Sequence, residues 1–326
     1  MAVLELLQVL CEGHNLAMQN FLRTQGGKGR ASNLVAEAVV VLHDLAPHLT
    51  ATGPPLIPLA IQALDTLIEL VQGPCPDNQM ELVTHKFVEV VGGIVEGGCG
   101  AGSMVGKELQ QKCMLALTSL FEGRRDRAIH HRVASLLNTQ TLKETMTAVF
   151  LDFKATHVNY CDEAFLQVFN TEFGVTDVSA TDAEREDKVV IETGFAVFIL
   201  FSYLAEVDWD MAAEVEGTVA QSADEAAAFR FFRKHTASVE IVRDRELERF
   251  LFPIPPMCAH LTETTKDRLK WNFNRDSAAT KIEGLFSATG GLLGEMRHQQ
   301  RLYNRLRRVS CFGWMYHRRH LWIDVA

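Results

Sequence analysis

Apolar residues recur at helical spacing from the N-terminus to about residue 235. The spacing of Thr141 with Glu144 and of Ser222 with Glu225 matches the capping boxes that begin helices. The predicted helices are short, and brief loops join them. Short antiparallel helices suit an armadillo or HEAT-like stack, in which each pair buries its apolar face against the next pair. Segments with one apolar helix face include residues 34–45, 57–72 and 109–120.

Three segments interrupt the helical pattern. Residues 92–106 contain seven glycines, which are costly inside a helix and predict a loop of unassigned role. Residues 176–187 are polar and acidic, which is typical of a linker. Residues 238–274 contain β-branched and aromatic residues that partly alternate with charges, so we predict two or three short strands there. A final helix is predicted from Ala279 to about Arg308.

The sequence therefore predicts a mainly α protein with five consecutive parts. Helices fill residues 1–175, an acidic linker follows at 176–190, and helices continue over 191–237. A small α+β domain with short β-hairpins is expected over 238–308, and a basic aromatic tail over 309–326. The tail indicates proximity to anionic lipid headgroups, although a solvated helix face explains its arginines equally well.

The composition of the chain argues against several classes of function. The 326 residues are 47% hydrophobic and 22% charged, as in ordinary globular proteins, and the formal charge of −9 argues against nucleic acid as a partner. The seven cysteines are scattered without zinc spacing, which predicts reduced thiols in a cytosolic setting. The most apolar run, residues 194–207, is shorter than the roughly 20 residues that a membrane-spanning helix needs. We therefore predict that this chain contains no transmembrane segment.

Catalytic signatures are absent from the sequence. It contains no nucleophile elbow, P-loop, zinc-protease motif or dinucleotide-binding glycine pattern, so we predict that the protein is not an enzyme. His130 and His131 are predicted to be surface histidines rather than metal ligands, because adjacent residues of a helix point in different directions. An EF-hand calcium loop that starts at Asp182 is excluded, because its sixth and twelfth positions are Asp187 and Thr193, where the motif needs glycine and glutamate.

One set of residues could hold a cation. The oxygen-bearing side chains of one helix form a stripe opposite its apolar face; they are Gln62, Asp65, Glu69 and Gln72. Near the N-terminus, Gly13 interrupts a helical pattern between Glu12 and His14. From these residues alone, a solvated stripe and a helix-end turn are the favoured interpretation, and a calcium site is the alternative.

Several segments resemble a known family. They are LLQVLCEGHNLAMQNFLRTQ at 6–25, LDTLIELVQGPCPDNQ at 64–79, HTASVEIVRDRELERFLFPIPPMC at 235–258 and KIEGLFSATGGLLGEM at 281–296. They resemble the inositol trisphosphate receptor and ryanodine receptor family, over its receptor-homology-associated domain and the region that continues toward the membrane. The last two segments look closer to the inositol trisphosphate receptor branch.

The resemblance implies a place in a tetrameric calcium-release channel, on the cytosolic face of the endoplasmic reticulum membrane. There, this region is the last armadillo-like helical domain and a small mixed domain that transmits ligand-driven motion to the pore. By motif, Glu12 and Glu69 are the implied calcium ligands, with His14 and Gln72 beside them. A further oxygen comes from the C-terminal cytosolic part of such channels, so we expect the isolated chain to bind calcium weakly.

Two functions remain open at this point. The first is a cytosolic regulatory and coupling segment of an intracellular ligand-gated calcium-release channel, whose partners are other segments and subunits of the tetramer. The second is a free-standing truncated helical scaffold that binds proteins without channel activity. The sequence shows no pore or selectivity filter, and a fragment, a mis-assembled gene product and a truncated homologue all fit it.

Overall fold

The computed structural model describes residues 1–25, 32–49, 56–98, 102–124, 127–156, 182–216, 220–243, 246–254, 258, 260–271, 274 and 276–308. Most of these residues are helical, and two strands form one antiparallel pair. The predicted mainly α stack with a small hairpin is confirmed.

Nine α-helices precede residue 157 within the described ranges. They are α1 (Ala2–Cys11), α2 (Leu16–Arg23), α3 (Leu34–Leu45), α4 (Ile57–Val71), α5 (Pro76–Thr84), α6 (Phe87–Glu96), α7 (Met104–Ser119), α8 (Ala128–Leu136) and α9 (Thr139–Thr156), with a 3-10 turn at Ala46–His48. The later elements are α10 (Asp182–Leu204), α11 (Trp209–Val215), α12 (Ala223–Lys234), β1 (Thr236–Arg243), β2 (Glu246–Pro253), α13 (Glu263–Trp271) and α14 (Ala278–Arg308).

Helices α4 and α10 form the centre of the stack. Helix α4 packs against α1, α3 and α7, and α10 packs against α7 and α9. Leu64 and Leu67 of α4 and Phe195 and Phe201 of α10 are completely or almost completely buried. Burying an apolar side chain of this size contributes roughly 1.5–3 kcal/mol. These packed faces explain why the apolar periodicity of the sequence locates the helices.

Parts of the predicted glycine-rich loop and of the predicted acidic linker are helical. Helix α6 continues through Gly92 and Gly93, because the buried Val91 and Ile94 anchor it against the core. The predicted loop is also shortened at its other end, where Ser103 caps α7 by accepting from the amide of Gly106 at 3.2 Å. Residues 182–190, assigned to the linker, form the start of α10. Residues 176–181 lie outside the described ranges.

Local capping agrees with the sequence at one of two predicted places. The Ser222 hydroxyl accepts from the Glu225 amide at 3.1 Å and caps α12 as predicted. The Thr141 box is wrong, because Asn138 accepts from the amides of Gln140 and Thr141 instead. An asparagine three residues upstream therefore begins α9.

The strand prediction is partly right. Strands β1 and β2 pair from Thr236 opposite Pro253 to Arg243 opposite Glu246. The possible third strand over 268–274 is wrong, since its described residues up to Trp271 complete helix α13. Charged residues of that segment are better accommodated on an exposed helix than in a strand, which must leave one face apolar.

The described residues divide into two compact units. Those up to Pro253 form the first unit and those from Ile254 onward belong to the second. The hairpin thus belongs with the helices, and the small domain predicted over 238–308 begins later than expected. The helix predicted from Ala279 to Arg308 is present as α14. The basic tail over 309–326 lies outside the described residues.

Within the second unit, one carboxylate joins the two helices. The hydroxyls of Thr262 and Thr265 each donate to the Glu295 carboxylate at 2.6 Å, and the Thr262 amide donates to it at 3.0 Å. These hydrogen bonds lower the pKa of Glu295 to about 2, because they favour its charged form. Throughout the described ranges, no helix has both the length and the apolar character that crossing a bilayer requires.

Candidate metal site

The candidate site is formed by two turns that join helices. The first turn follows α1 and contains Gly13 and His14 in the left-handed region, with φ of 72° and 59°. Asn15 then caps α2, its side chain accepting from the Met18 amide at 3.2 Å. Left-handed backbone is uncommon for a non-glycine residue, so His14 is held there by its surroundings. The predicted departure from helix at this point is present.

The second turn follows α4 and lies directly against the first. Gln72 ends the helix in extended conformation, and Gly73 follows with φ of 97°. A Cβ atom added to Gly73 would lie 2.3 Å from the Cβ of His14, which is closer than two carbon atoms can approach. Gly73 therefore serves two purposes, because it permits the left-handed backbone and leaves room for His14.

Buried amide side chains fasten the two turns together. Gln19 is 1% exposed, and its Nε2 donates to the carbonyl oxygens of Glu69 at 2.7 Å and Gln72 at 2.8 Å. Asn78 is fully buried, and its Nδ2 donates to the carbonyl oxygens of Gln19 at 3.2 Å and Leu70 at 2.8 Å. These bonds satisfy carbonyl groups at the end of α4 that lack partners within the helix.

A guanidinium extends this network to α5. Arg23 donates to the Asn78 side-chain oxygen at 2.5 Å and pairs with Asp77 at 2.8 Å. Sequence reasoning missed Gln19, Asn78 and Arg23. One signal was available for Gln19, because it shares the helical spacing of the buried Leu22 and is thus a polar residue at an apolar position.

The predicted carboxylates lie near enough to one another for their charges to interact. Burial raises the pKa of Glu69; the charge of Glu12 raises it further, while His14 acts in the opposite direction. Asp65 also raises it. Burial raises the pKa of the Cys11 thiol to about 11, with Glu69 and Cys75 adding to the effect. The turns thus concentrate negative charge at a half-buried place, which a cation would relieve.

The other members of the predicted stripe are engaged elsewhere. Gln62 donates to the side-chain oxygen of Gln8 at 2.7 Å, and Asp65 pairs with Lys112 at 2.7 Å. They hold α1 and α7 against α4. The continuous solvated stripe is therefore wrong, and Glu69 and Gln72 remain as its members nearest the turn.

No metal cluster of three or more His, Cys, Asp or Glu side chains is found in the described parts of the chain. Glu12, His14 and Glu69 therefore do not form such a cluster by themselves. His130 is buried, with 5% of its surface exposed, and its ring packs edge-on against Phe121 at 4.8 Å. The prediction of a surface histidine is wrong at this position, whereas His131 is exposed.

Comparison with known proteins shows what the chain is similar to. Residues 1–95 match the family described as RyR and IP3R Homology associated. The chain is also 25% identical to the inositol 1,4,5-trisphosphate receptor of Caenorhabditis elegans, in an alignment that includes 99% of this chain. The chain is thus similar to an inositol trisphosphate receptor over almost its whole length, and its first 95 residues match a family model that ryanodine receptors share. The resemblance recognised in the sequence is thereby confirmed.

This relationship has a defined extent. The chain spans 13% of the length of the nematode receptor. Both turns of the candidate site, with Glu12 and Glu69, lie inside the 95 residues that match the receptor-associated family. The hairpin and the second unit lie outside the family match and inside the longer alignment.

Proposed function

We propose that this chain acts as a regulatory and coupling segment of an intracellular ligand-gated calcium-release channel, and that Glu12 and Glu69 bind calcium. The observation that carries the proposal is the contact between the two turns. Separated by more than fifty positions, the two glutamates come into electrostatic contact through His14, Gly73 and Gln19.

The ligand count explains why binding by this chain is weak. Calcium is coordinated by six to eight oxygens, and two carboxylates supply at most four. His14 and Gln72 lie beside the carboxylates, where they orient the turns. The remaining oxygens come from water or from another part of a channel. We therefore expect a dissociation constant of about 10⁻⁴–10⁻³ M or weaker for the chain alone.

In a channel, such a partial site would couple calcium to conformation. A calcium ion that bridges the turns and a second segment binds more tightly to the arrangement that brings the two together, and so increases its population. The receptor relationship favours other channel segments and subunits as partners, at the cytosolic face of the endoplasmic reticulum. No residue of the chain needs a catalytic role in this mechanism.

The first test is calorimetric titration of the full chain with calcium chloride. We expect saturable binding, weakened at least about tenfold in Glu69→Gln and in Glu12→Gln, since each loses a charged ligand. Glu5→Gln is the matched control, because Glu5 is an exposed glutamate of the neighbouring α1. Equal heats from wild type and Glu69→Gln would exclude the proposed site.

A pH series gives an independent readout of the same site. The raised pKa of Glu69 means that the folded protein holds a proton there at higher pH than the unfolded chain does. This group therefore favours folding at low pH, and that contribution is lost as pH rises above 4.5 through the folded pKa. Calcium needs the carboxylate, so its affinity should fall on acidification in wild type and much less in Glu69→Gln.

The alternative function, a protein-binding helical scaffold, is favoured by an apolar surface on the first helix. Val3, Leu6 and Val9 of α1 are 58–71% exposed. Such side chains suit burial against another protein segment. This surface is compatible with a channel as well as with a scaffold, and saturable calcium binding that depends on Glu12 and Glu69 separates the two functions.

A further inference from the structure

The first unit contains a cavity of about 460 Å³ that the candidate calcium site does not use. Its wall is formed by the end of α7 and the turn after it, the first turn of α8, the C-terminal end of α10 and strand β2. Gln72, which follows α4 and lies beside the candidate calcium ligands, is the one cavity-lining residue among the described residues that the two sites share. The volume is within the range of cavities that hold small organic ligands.

The cavity has a net positive charge. Arg124, Arg127 and Arg249 line it together with two carboxylates, those of Glu122 and Glu206. Arg124 is held in place, as it donates to the carbonyl oxygen of Pro76 at 2.8 Å. Arg127 and Arg249 are exposed, and within the described ranges neither side chain forms an ion pair or a hydrogen bond. Two guanidinium groups are thus available to a ligand.

The inner wall of the cavity is aromatic and fixed. Phe121 stacks on Tyr203 with a centroid distance of 5.6 Å and an angle of 10°, and the ring of His130 packs edge-on against Phe121. Tyr203 is also hydrogen-bonded to the backbone of Leu251 in β2. Phe121 is 3% exposed and Tyr203 is half-buried, so Tyr203 offers most of the accessible aromatic surface beside the guanidinium groups.

Hydrogen bonds from helix α5 also fix the turn between α7 and α8. Gln79 Nε2 donates to the carbonyl oxygens of Ser119 at 3.0 Å and Glu122 at 2.9 Å. Helix α8 begins at this edge of the cavity, and its N-cap residue, Arg127, forms no side-chain capping hydrogen bond. The N-terminal end of a helix carries partial positive charge, which adds to that of the arginines.

We propose that this cavity binds a small organic anion, which has an oxyanion group bound by Arg127 and Arg249 and an aromatic or apolar body resting on Tyr203 and Phe121. Guanidinium groups suit this ligand because their planar N–H groups match both phosphate and carboxylate oxygens. The two arginines belong to α8 and β2, so the ligand would tie the hairpin to the helices. This site goes beyond the proposed function and does not require calcium.

The test uses the full chain and three probes: phenyl phosphate, benzoate and inorganic phosphate. We expect phenyl phosphate or benzoate to bind saturably and more tightly than inorganic phosphate, and the tighter of the two identifies the preferred oxyanion. Arg127→Gln and Arg249→Gln should each weaken that binding about tenfold. Arg132→Gln is the matched control, because Arg132 is exposed on α8 and does not line the cavity.

Hydrogen exchange supplies a second readout. A ligand held by both arginines should slow amide exchange in β2 and in the turn after α7 together. Inorganic phosphate binding as tightly as the aromatic probes would contradict the role of Tyr203 and Phe121. Unchanged binding in Arg127→Gln and Arg249→Gln, equal loss in Arg132→Gln, or no saturable binding would overturn the site. The calcium affinity of Arg127→Gln and Arg249→Gln should equal that of the wild type, so failure of one proposal leaves the other standing.

Discussion

At the scale of single residues, His14 and Gly73 determine how the two turns meet. Gly73 has a left-handed backbone and presents a Cα hydrogen where any larger residue would meet His14. Gln19 and Asn78 then fix the adjacent carbonyl groups by buried hydrogen bonds. Since a buried polar group without its partner costs about 1–3 kcal/mol, the geometry of the site depends on a few small residues.

We therefore predict that Gly73→Ala lowers the free energy of unfolding by about 1–3 kcal/mol. Alanine is strained in the left-handed backbone conformation of this position, and its Cβ atom would collide with His14. Gly93→Ala is the control. Gly93 is exposed in α6 with open space at its Cβ position, and alanine there should be neutral or stabilise by about 0.5–1 kcal/mol.

Denaturant unfolding of both variants measures the difference. Calcium titration of Gly73→Ala should also show weaker binding, since the turns are displaced. Equal stability of the two variants would show that the turns adjust without strain.

At the scale of elements, the close packing of α10 against its neighbours explains why residue 194 is a glycine. A Cβ atom added to Gly194 would lie 2.1 Å from the Phe232 ring of α12 and 3.0 Å from Val149 of α9. Phe232 is fully buried and packs edge-on against Phe195 at 5.1 Å. The missing side chain thus allows three helices to approach one another.

We predict that Gly194→Ala lowers the free energy of unfolding by about 1–3 kcal/mol, because the ring has no free space to enter. Phe232→Leu alone should also destabilise the protein, through loss of apolar contacts. The double variant should lose less than the sum of the two single losses, since the smaller side chain removes the collision. Thermal or denaturant unfolding of the four proteins provides the comparison, and simple additivity would contradict the packing argument.

At the scale of the whole molecule, apolar burial is unevenly distributed. Among the described residues, the buried apolar side chains lie at or before Phe232, with Met296 as the exception. Helix α14 exposes Ile282, Leu285 and Phe286 by 51–75%. A long helix with so little buried surface gains little stability from packing.

We predict that amides of α13 and α14 exchange with solvent much faster than those of α4, α7 and α10 in the full chain. Leu67→Ala removes a fully buried side chain of α4 and should lower protection in the first unit by about 2–5 kcal/mol. Met296→Ala should accelerate exchange in α13 and α14 alone. Mass-spectrometric hydrogen exchange distinguishes the units, and a joint response to either variant would show that they unfold as one.

Much of the helical architecture could be predicted from the sequence. Apolar spacing located the faces of α3, α4 and α7, and the Ser222 cap located the start of α12, because both depend on neighbours a few positions apart. Motif resemblance singled out Glu12 and Glu69. Errors arose where packing outweighed local preference, as in α6, where Gly92 and Gly93 remain helical because their neighbours are buried.

Tertiary structure alone decided which distant residues meet. Three features depend on helices that are far apart in the sequence: the close approach of His14 to Gly73, the hydrogen bonds of the Gln19 side chain and the burial of His130. The cavity lined by Arg127 and Arg249 arises in the same way, because a strand and a helix turn become neighbours only after the chain folds. Local periodicity specifies the faces of each element, whereas long-range packing determines which side chains form a site.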